Sequence, residues 1–118
     1  MVEWKGKSFR CPVEVTFDLV GGKWKCLILW HLHLGKMRFK ELERIVSGVS
    51  QKMLTQQLKE MERDELLVKT VYPEVPPRVE YELTPLGHSL FPILEAMHGW
   101  AVEELGVVPG GEKGALEE

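Results

Sequence analysis

The sequence predicts a mainly α-helical chain with a small β-wing, arranged as a winged helix-turn-helix. Three observations carry that reading. Ser50 to Met61 follows a helical period, and its outer face is amide, hydroxyl and ammonium rather than the usual Glu/Lys pairs. The short segment Ser47-Gly48-Val49 joins it to a preceding amphipathic stretch, which is helix-turn-helix spacing. Beyond Asp64-Glu65 the period changes to two, giving two strand-like runs around a proline-rich tip.

The elements follow in order. Residues 1–10 are basic and aromatic (Trp4, Lys5, Lys7, Phe9, Arg10) and read as an N-terminal arm. Cys11-Pro12 opens a first helix, with proline where its missing N–H costs nothing, and Gly21-Gly22 stops it. A second helix from about Lys23 is expected to bury Trp24, Leu27, Ile28 and Leu32 before Gly35. Lys36-Met37-Arg38 is an extended connector. Phe39 to Val46 forms a short third helix with Leu42, Ile45 and Val46 inward.

Ser50 is the expected N-cap of the fourth helix, its hydroxyl accepting a backbone N–H one turn on. Leu54, Leu58 and Met61 form that helix's apolar face. Leu66 to Tyr72 and Val79 to Leu83 are the wing strands, with Val79, Tyr81 and Leu83 on one face and Glu80 and Glu82 on the other. Thr84-Pro85 caps a long last helix, which Pro92 should kink near His88. Leu86, Leu90, Ile93, Leu94, Met97, Trp100, Ala101 and Leu105 line it. That stripe, with the first helix, is wider than one small core needs, so dimerisation through the N- and C-terminal helices is expected. The domain then spans 11–105, and the Gly/Pro/Glu-rich segment 106–118 is expected to be disordered.

At 118 residues the chain fits one domain. Its net charge of −3 is unevenly divided. Residues 1–78 hold 14 Lys/Arg against 10 Asp/Glu, whereas 79–118 hold one against eight. Such asymmetry points to a polyanion partner for the basic part. No apolar run reaches the ~18 residues of a membrane span, and no signal-peptide layout opens the chain, so a cytoplasmic protein without membrane association is expected. Two cysteines fifteen positions apart match neither a disulfide framework nor a zinc spacing. His31 and His33 diverge on a helix, and His88 and His98 stand far apart, so no metal or cofactor is expected. No phosphate loop, HExxH or GxSxG motif occurs, and enzymatic activity is not expected.

In a helix-turn-helix the start of the second helix reaches base edges. Gln51, Lys52, Thr55 and Gln56 occupy those positions: Gln can pair with adenine, Lys with guanine, and the Thr methyl can meet thymine. Ser50 and the free N–H groups at the helix start suit a phosphate. Arg38, Lys40 and Lys59 flank the helix and would hold the DNA backbone, as would Arg78 at the wing tip. Double-stranded DNA is thus the expected partner. The rival reading is a winged-helix protein-interaction module without specific DNA binding. A small-molecule sensor with Trp4, Trp24, Trp30 and Trp100 around a pocket would differ only in its input. Cys11 has Lys7 and Arg10 before it and the positive end of its own helix beside it, both of which favour thiolate. Cys26, on an apolar face, reads as a small buried hydrophobe.

The motifs Cys11-Pro12-Val13, Gly21-Gly22-Lys23-Trp24, Arg38-Phe39-Lys40-Glu41-Leu42, Ser50-Gln51-Lys52-Met53-Leu54-Thr55, Tyr72-Pro73-Glu74-Val75-Pro76-Pro77-Arg78-Val79-Glu80-Tyr81 and Leu83-Thr84-Pro85-Leu86-Gly87 stand in one order. Over residues 11 to 105 the chain resembles HxlR-type transcriptional regulators, which are MarR-like winged-helix proteins. The resemblance implies a prokaryotic homodimer that binds palindromic operator DNA as a repressor or activator. It also implies that Cys11 stands where some members sense oxidants or electrophiles, so a small-molecule or electrophile effector is expected.

Overall fold

A computed structural model describes residues 1–108; most of the tail expected to be disordered, 109–118, lies outside the described residues. The N-terminus departs from a free arm. Strand β1 (Val2–Trp4) pairs antiparallel with β2 (Lys7–Phe9). Lys5 and Gly6 both take positive φ, 47° and 76°, which suits the twist of a two-residue hairpin. Phe9 is buried and Trp4 packs against the core. The reason is the period: Val2 and Trp4 share a face, a pattern too short to stand out from the surrounding charges.

Helix α1 (Pro12–Val20) begins at its proline and ends at Gly21. Helix α2 (Lys25–Leu32) starts two residues later than expected and buries Ile28, Leu29 and Leu32. Leu29, not Leu27, takes the inner position, and Leu27 is 39% exposed. Inside the apolar run Cys26 to Trp30 the period alone does not choose between them. Strand β3 (Met37–Arg38) leads into α3 (Phe39–Ile45), which buries Leu42 and the following Val46 but leaves Ile45 outside.

Helix α4 (Gln51–Arg63) buries Leu54, Leu58 and Met61, as its period predicts. Ser50 caps it: Oγ accepts the Met53 N–H at 3.0 Å. Gly48, at φ 91°, makes the turn between α3 and α4 in a conformation that disfavours any side chain. Strands β4 (Leu67–Tyr72) and β5 (Arg78–Leu83) form the wing, with Leu67 opposite Leu83 and Tyr72 opposite Arg78. β3 pairs with the other edge of β5, so the sheet order is β3-β5-β4.

The expected single kinked helix is two helices, α5 (Pro85–His88) and α6 (Phe91–Leu105). Pro92 lies in the first turn of α6, where it leaves no hydrogen bond unmade, so it starts a helix instead of bending one. Thr84 caps α5 by accepting the Gly87 N–H, and Gly106 closes α6 in the left-handed region.

Ile28, Leu32, Leu42, Leu54, Leu58, Met61 and Leu66 form a dry centre shared by α2, α3, α4 and the base of the wing. Each such side chain contributes about 1.5–3 kcal/mol. The last-helix stripe divides: Leu90 and Leu94 are buried, whereas Met97, Trp100 and Leu105 are at least half exposed. On α1, Val13 and Phe17 are exposed as well. No helix among the described residues is long and apolar enough to cross a membrane.

Candidate nucleic-acid interface

The Ser50 cap and the buried Leu54, Leu58 and Met61 fix which way α4 is turned. Gln51, Lys52, Thr55, Gln56 and Lys59 therefore face solvent, as expected. Lys52, Thr55, Gln56 and Lys59 come together along one open groove, which also takes in Glu60 and Arg63. Arg63, which the helical period also puts on the outer face, and Glu60 extend that face by another turn beyond the candidate DNA contacts. Their signal was the spacing from Gln56 and Lys59, one turn on along the same side.

A second cleft lies between the start of α3 and the wing tip. Arg38, Phe39 and Lys40 form one wall and residues 74–79 the other. Arg38 and Lys40 are exposed, and its own first turn caps α3: Glu41 Oε1 accepts the Arg38 N–H at 2.7 Å. Among the described residues, Arg38, Lys40, Lys52 and Lys59 have no carboxylate within ion-pair distance. These four cations carry uncompensated positive charge, Lys52 and Lys59 along the α4 groove and Arg38 and Lys40 in the cleft beside the wing tip.

Arg78 is different. Its guanidinium lies 3.9 Å from the centre of the Tyr72 ring, a cation–π stack across the wing. Nη2 stands 3.1 Å from Glu74 Oε2 and Nε 3.8 Å from Glu80 Oε2. The second distance permits charge attraction but is too long for a hydrogen bond, and the buried Nε–H has no acceptor. Arg78 is thus neither a free surface residue nor a fully available cation.

Behind the groove, Lys25 Nζ of α2 meets Glu60 Oε1 at 2.8 Å. The Lys25 ammonium, hydrogen-bonded to it, holds the Glu60 carboxyl below the usual carboxylate range. Lys25 carried no signal in the sequence, because its partner lies on another helix.

Cys11 is exposed at the N-cap of α1. The two cations that precede it are engaged by carboxylates of that helix: Lys7 Nζ with Asp18 at 3.2 Å, and the Arg10 guanidinium with Glu14. Cys26 is half-buried, its Sγ 3.8 Å from the Gly22 carbonyl oxygen. Trp4, Trp24 and Trp30 pack on the core rather than around a pocket, and Trp100 is 59% exposed. His33 and His98 each pack on aromatic rings: His98 is stacked on Trp30 at 5.3 Å and His33 on Phe91 at 3.9 Å. No cluster of His, Cys, Asp and Glu fit to hold a metal ion occurs among the described residues.

A helix-turn-helix with a polar, carboxylate-poor outer face and a three-stranded wing defines a winged helix-turn-helix protein. Residues 19–107 match the model of the HxlR-like helix-turn-helix family. The chain belongs to that family. It is 46% identical over 112 residues to the uncharacterized HTH-type transcriptional regulator YtcD of Bacillus subtilis (strain 168), covering 95% of this chain and 89% of YtcD. Among solved structures it is similar to the redox regulator HypR in its oxidized form, at 47% identity and TM-score 0.74, covering 79% of this chain and 96% of HypR. It is also similar to the reduced form of the transcriptional regulator YodB from B. subtilis, at 40% identity and TM-score 0.70, covering 80% of this chain and 94% of YodB.

Proposed function

We propose that this chain is a sequence-specific, DNA-binding transcriptional regulator that acts as a homodimer on palindromic operator DNA. The observation that carries the reading is the outer face of α4. Its exposed Gln51, Lys52, Thr55 and Gln56 offer donors, acceptors and a methyl group, and its inner face is locked in the core. Ser50, Arg38, Lys40 and Lys59 hold phosphates on either side of that face, and Arg78 steadies the wing beside them. Family membership supports the same function, since YtcD and YodB are described as transcriptional regulators.

Dimerisation rests on exposed apolar surface. Val13 and Phe17 of α1 and Met97, Trp100 and Leu105 of α6 are large side chains left in solvent by a single chain. A two-fold pairing through these helices would set two α4 helices about one turn of DNA apart. The input to the switch is the exposed Cys11 thiol, reacting with an oxidant or electrophile; similarity to HypR, a redox regulator, supports that role.

Selection of bound duplexes from a random pool, at two salt concentrations, tests the function. A recovered palindrome with half-sites about one helical turn apart is expected. Recovery of no common sequence, with binding lost at moderate salt, would leave only a protein-interaction module.

A further inference from the structure

The α4 groove contains one carboxylate, and its two oxygens have different partners. Glu60 Oε1 accepts from Lys25 Nζ at 2.8 Å, and Oε2 accepts from Gln56 Nε2 at 3.4 Å. Lys25 belongs to the first turn of α2, and its side chain is only 11% exposed. Glu60 is therefore held from beneath by a cation that α4 does not itself carry. A carboxylate at neutral pH, Glu60 can only accept hydrogen bonds, and Lys25 fixes where it stands.

That settles the orientation of Gln56. A carboxylate repels an amide oxygen and attracts an amide N–H, so the NH2 end of Gln56 is the end turned to Glu60. The carbonyl Oε1 is turned away from Glu60 on an exposed side chain. One N–H is engaged by the acid, and the second remains free beside Oε1.

We infer that Glu60, anchored by Lys25, is a positioning residue that fixes the Gln56 amide so that Gln56 selects adenine at the base pair it meets. The inference rests on the proposed entry of α4 into the major groove. Adenine offers an N6 donor and an N7 acceptor there, matching Oε1 and the free N–H of Gln56. Guanine offers two acceptors, O6 and N7. A free glutamine could rotate to turn its NH2 toward them, but one pinned by Glu60 meets guanine O6 with its own oxygen. The Lys25–Glu60–Gln56 chain thus acts against guanine as much as for adenine.

The test compares binding sites selected by the full chain and by Gln56→Ala, Glu60→Gln, Glu60→Ala and Lys25→Met. Affinities are then measured for the selected duplex carrying each base at the pair that depends on Gln56. The full chain should prefer adenine at one pair per half-site, and Gln56→Ala should make that pair indifferent. Glu60→Gln keeps the size of the side chain but no longer dictates the amide orientation. It should reduce discrimination against guanine at that pair by about tenfold, with the other positions unchanged. Glu60→Ala should do the same, and Lys25→Met, which frees the carboxylate, should have a smaller effect at the same pair. If Lys25 and Glu60 only staple α4 to α2, their variants will lower Tm and weaken all positions equally, and the inference falls. It falls equally if Glu60→Gln leaves discrimination intact while Gln56→Ala abolishes it. Recovery of no site by the unmodified chain would instead overturn the DNA-binding function itself.

Discussion

The carbonyl oxygen of Leu66 leaves no room for a Cβ on Gly87. That oxygen accepts the Thr84 N–H at 3.0 Å, and the backbone of α5 passes directly over it. A Cβ at residue 87 would overlap the Leu66 carbonyl and stand 3.2 Å from Leu83 Cδ2. The close approach ties the root of the wing to the C-terminal helices. Gly87→Ala should destabilise the fold by about 1–3 kcal/mol, because the backbone must move to admit the methyl group. Denaturant unfolding measures it; an unchanged midpoint would mean that the two segments separate freely.

Removing the Ser50 cap should affect both stability and binding. Ser50→Ala deprives the Met53 N–H of its acceptor and should lower stability by about 1 kcal/mol. Ser50→Asp should retain the cap and most of the stability, yet weaken DNA binding by placing a negative charge where a phosphate is expected. Parallel losses in both assays for both variants would deny this end of α4 any role on DNA.

The cations should separate by their partners. Lys59→Ala, Arg38→Ala and Lys40→Ala each remove a charge without an ion pair, and each should reduce the salt slope of DNA binding by about one. Arg78 is shared among Tyr72, Glu74 and Glu80. Arg78→Ala should change that slope by less than one while loosening the wing. A full unit lost with Arg78 would show that it exchanges its carboxylates for a phosphate.

Trp100→Glu places a charge on the exposed apolar face of α6. Light scattering should report a monomer for this variant and a dimer for the unmodified chain. Affinity for a palindrome should fall more than affinity for one half-site. A dimer that survives both Trp100→Glu and Phe17→Glu would place the interface elsewhere.

Cys11→Ser should leave basal DNA binding unchanged and abolish its response to a quinone or diamide. Persistence of the response would move the switch to another residue. Because Lys7 and Arg10 are taken up by Asp18 and Glu14, Glu14→Gln should quicken alkylation of Cys11 by freeing Arg10. The rate of thiol alkylation measures it.

Much of this protein follows from short-range chemistry along the chain. The period of Leu54, Leu58 and Met61, the Ser50 cap, the Gly48 turn and the proline starts of α1 and α5 act within one or two turns of backbone. A reader of the sequence therefore obtains the helix-turn-helix, its inner face and its outward polar residues. The N-terminal hairpin is not legible because its alternation spans only three residues per strand, and the period does not separate Leu29 from Leu27 because both lie in one apolar run. What tertiary structure alone decided is which charges remain available. Lys25 reaches Glu60 across two helices, and Arg78 reaches Tyr72 on the opposite wing strand through the strand register. Pairings of that kind depend on where distant segments pack, a distance no local spacing encodes.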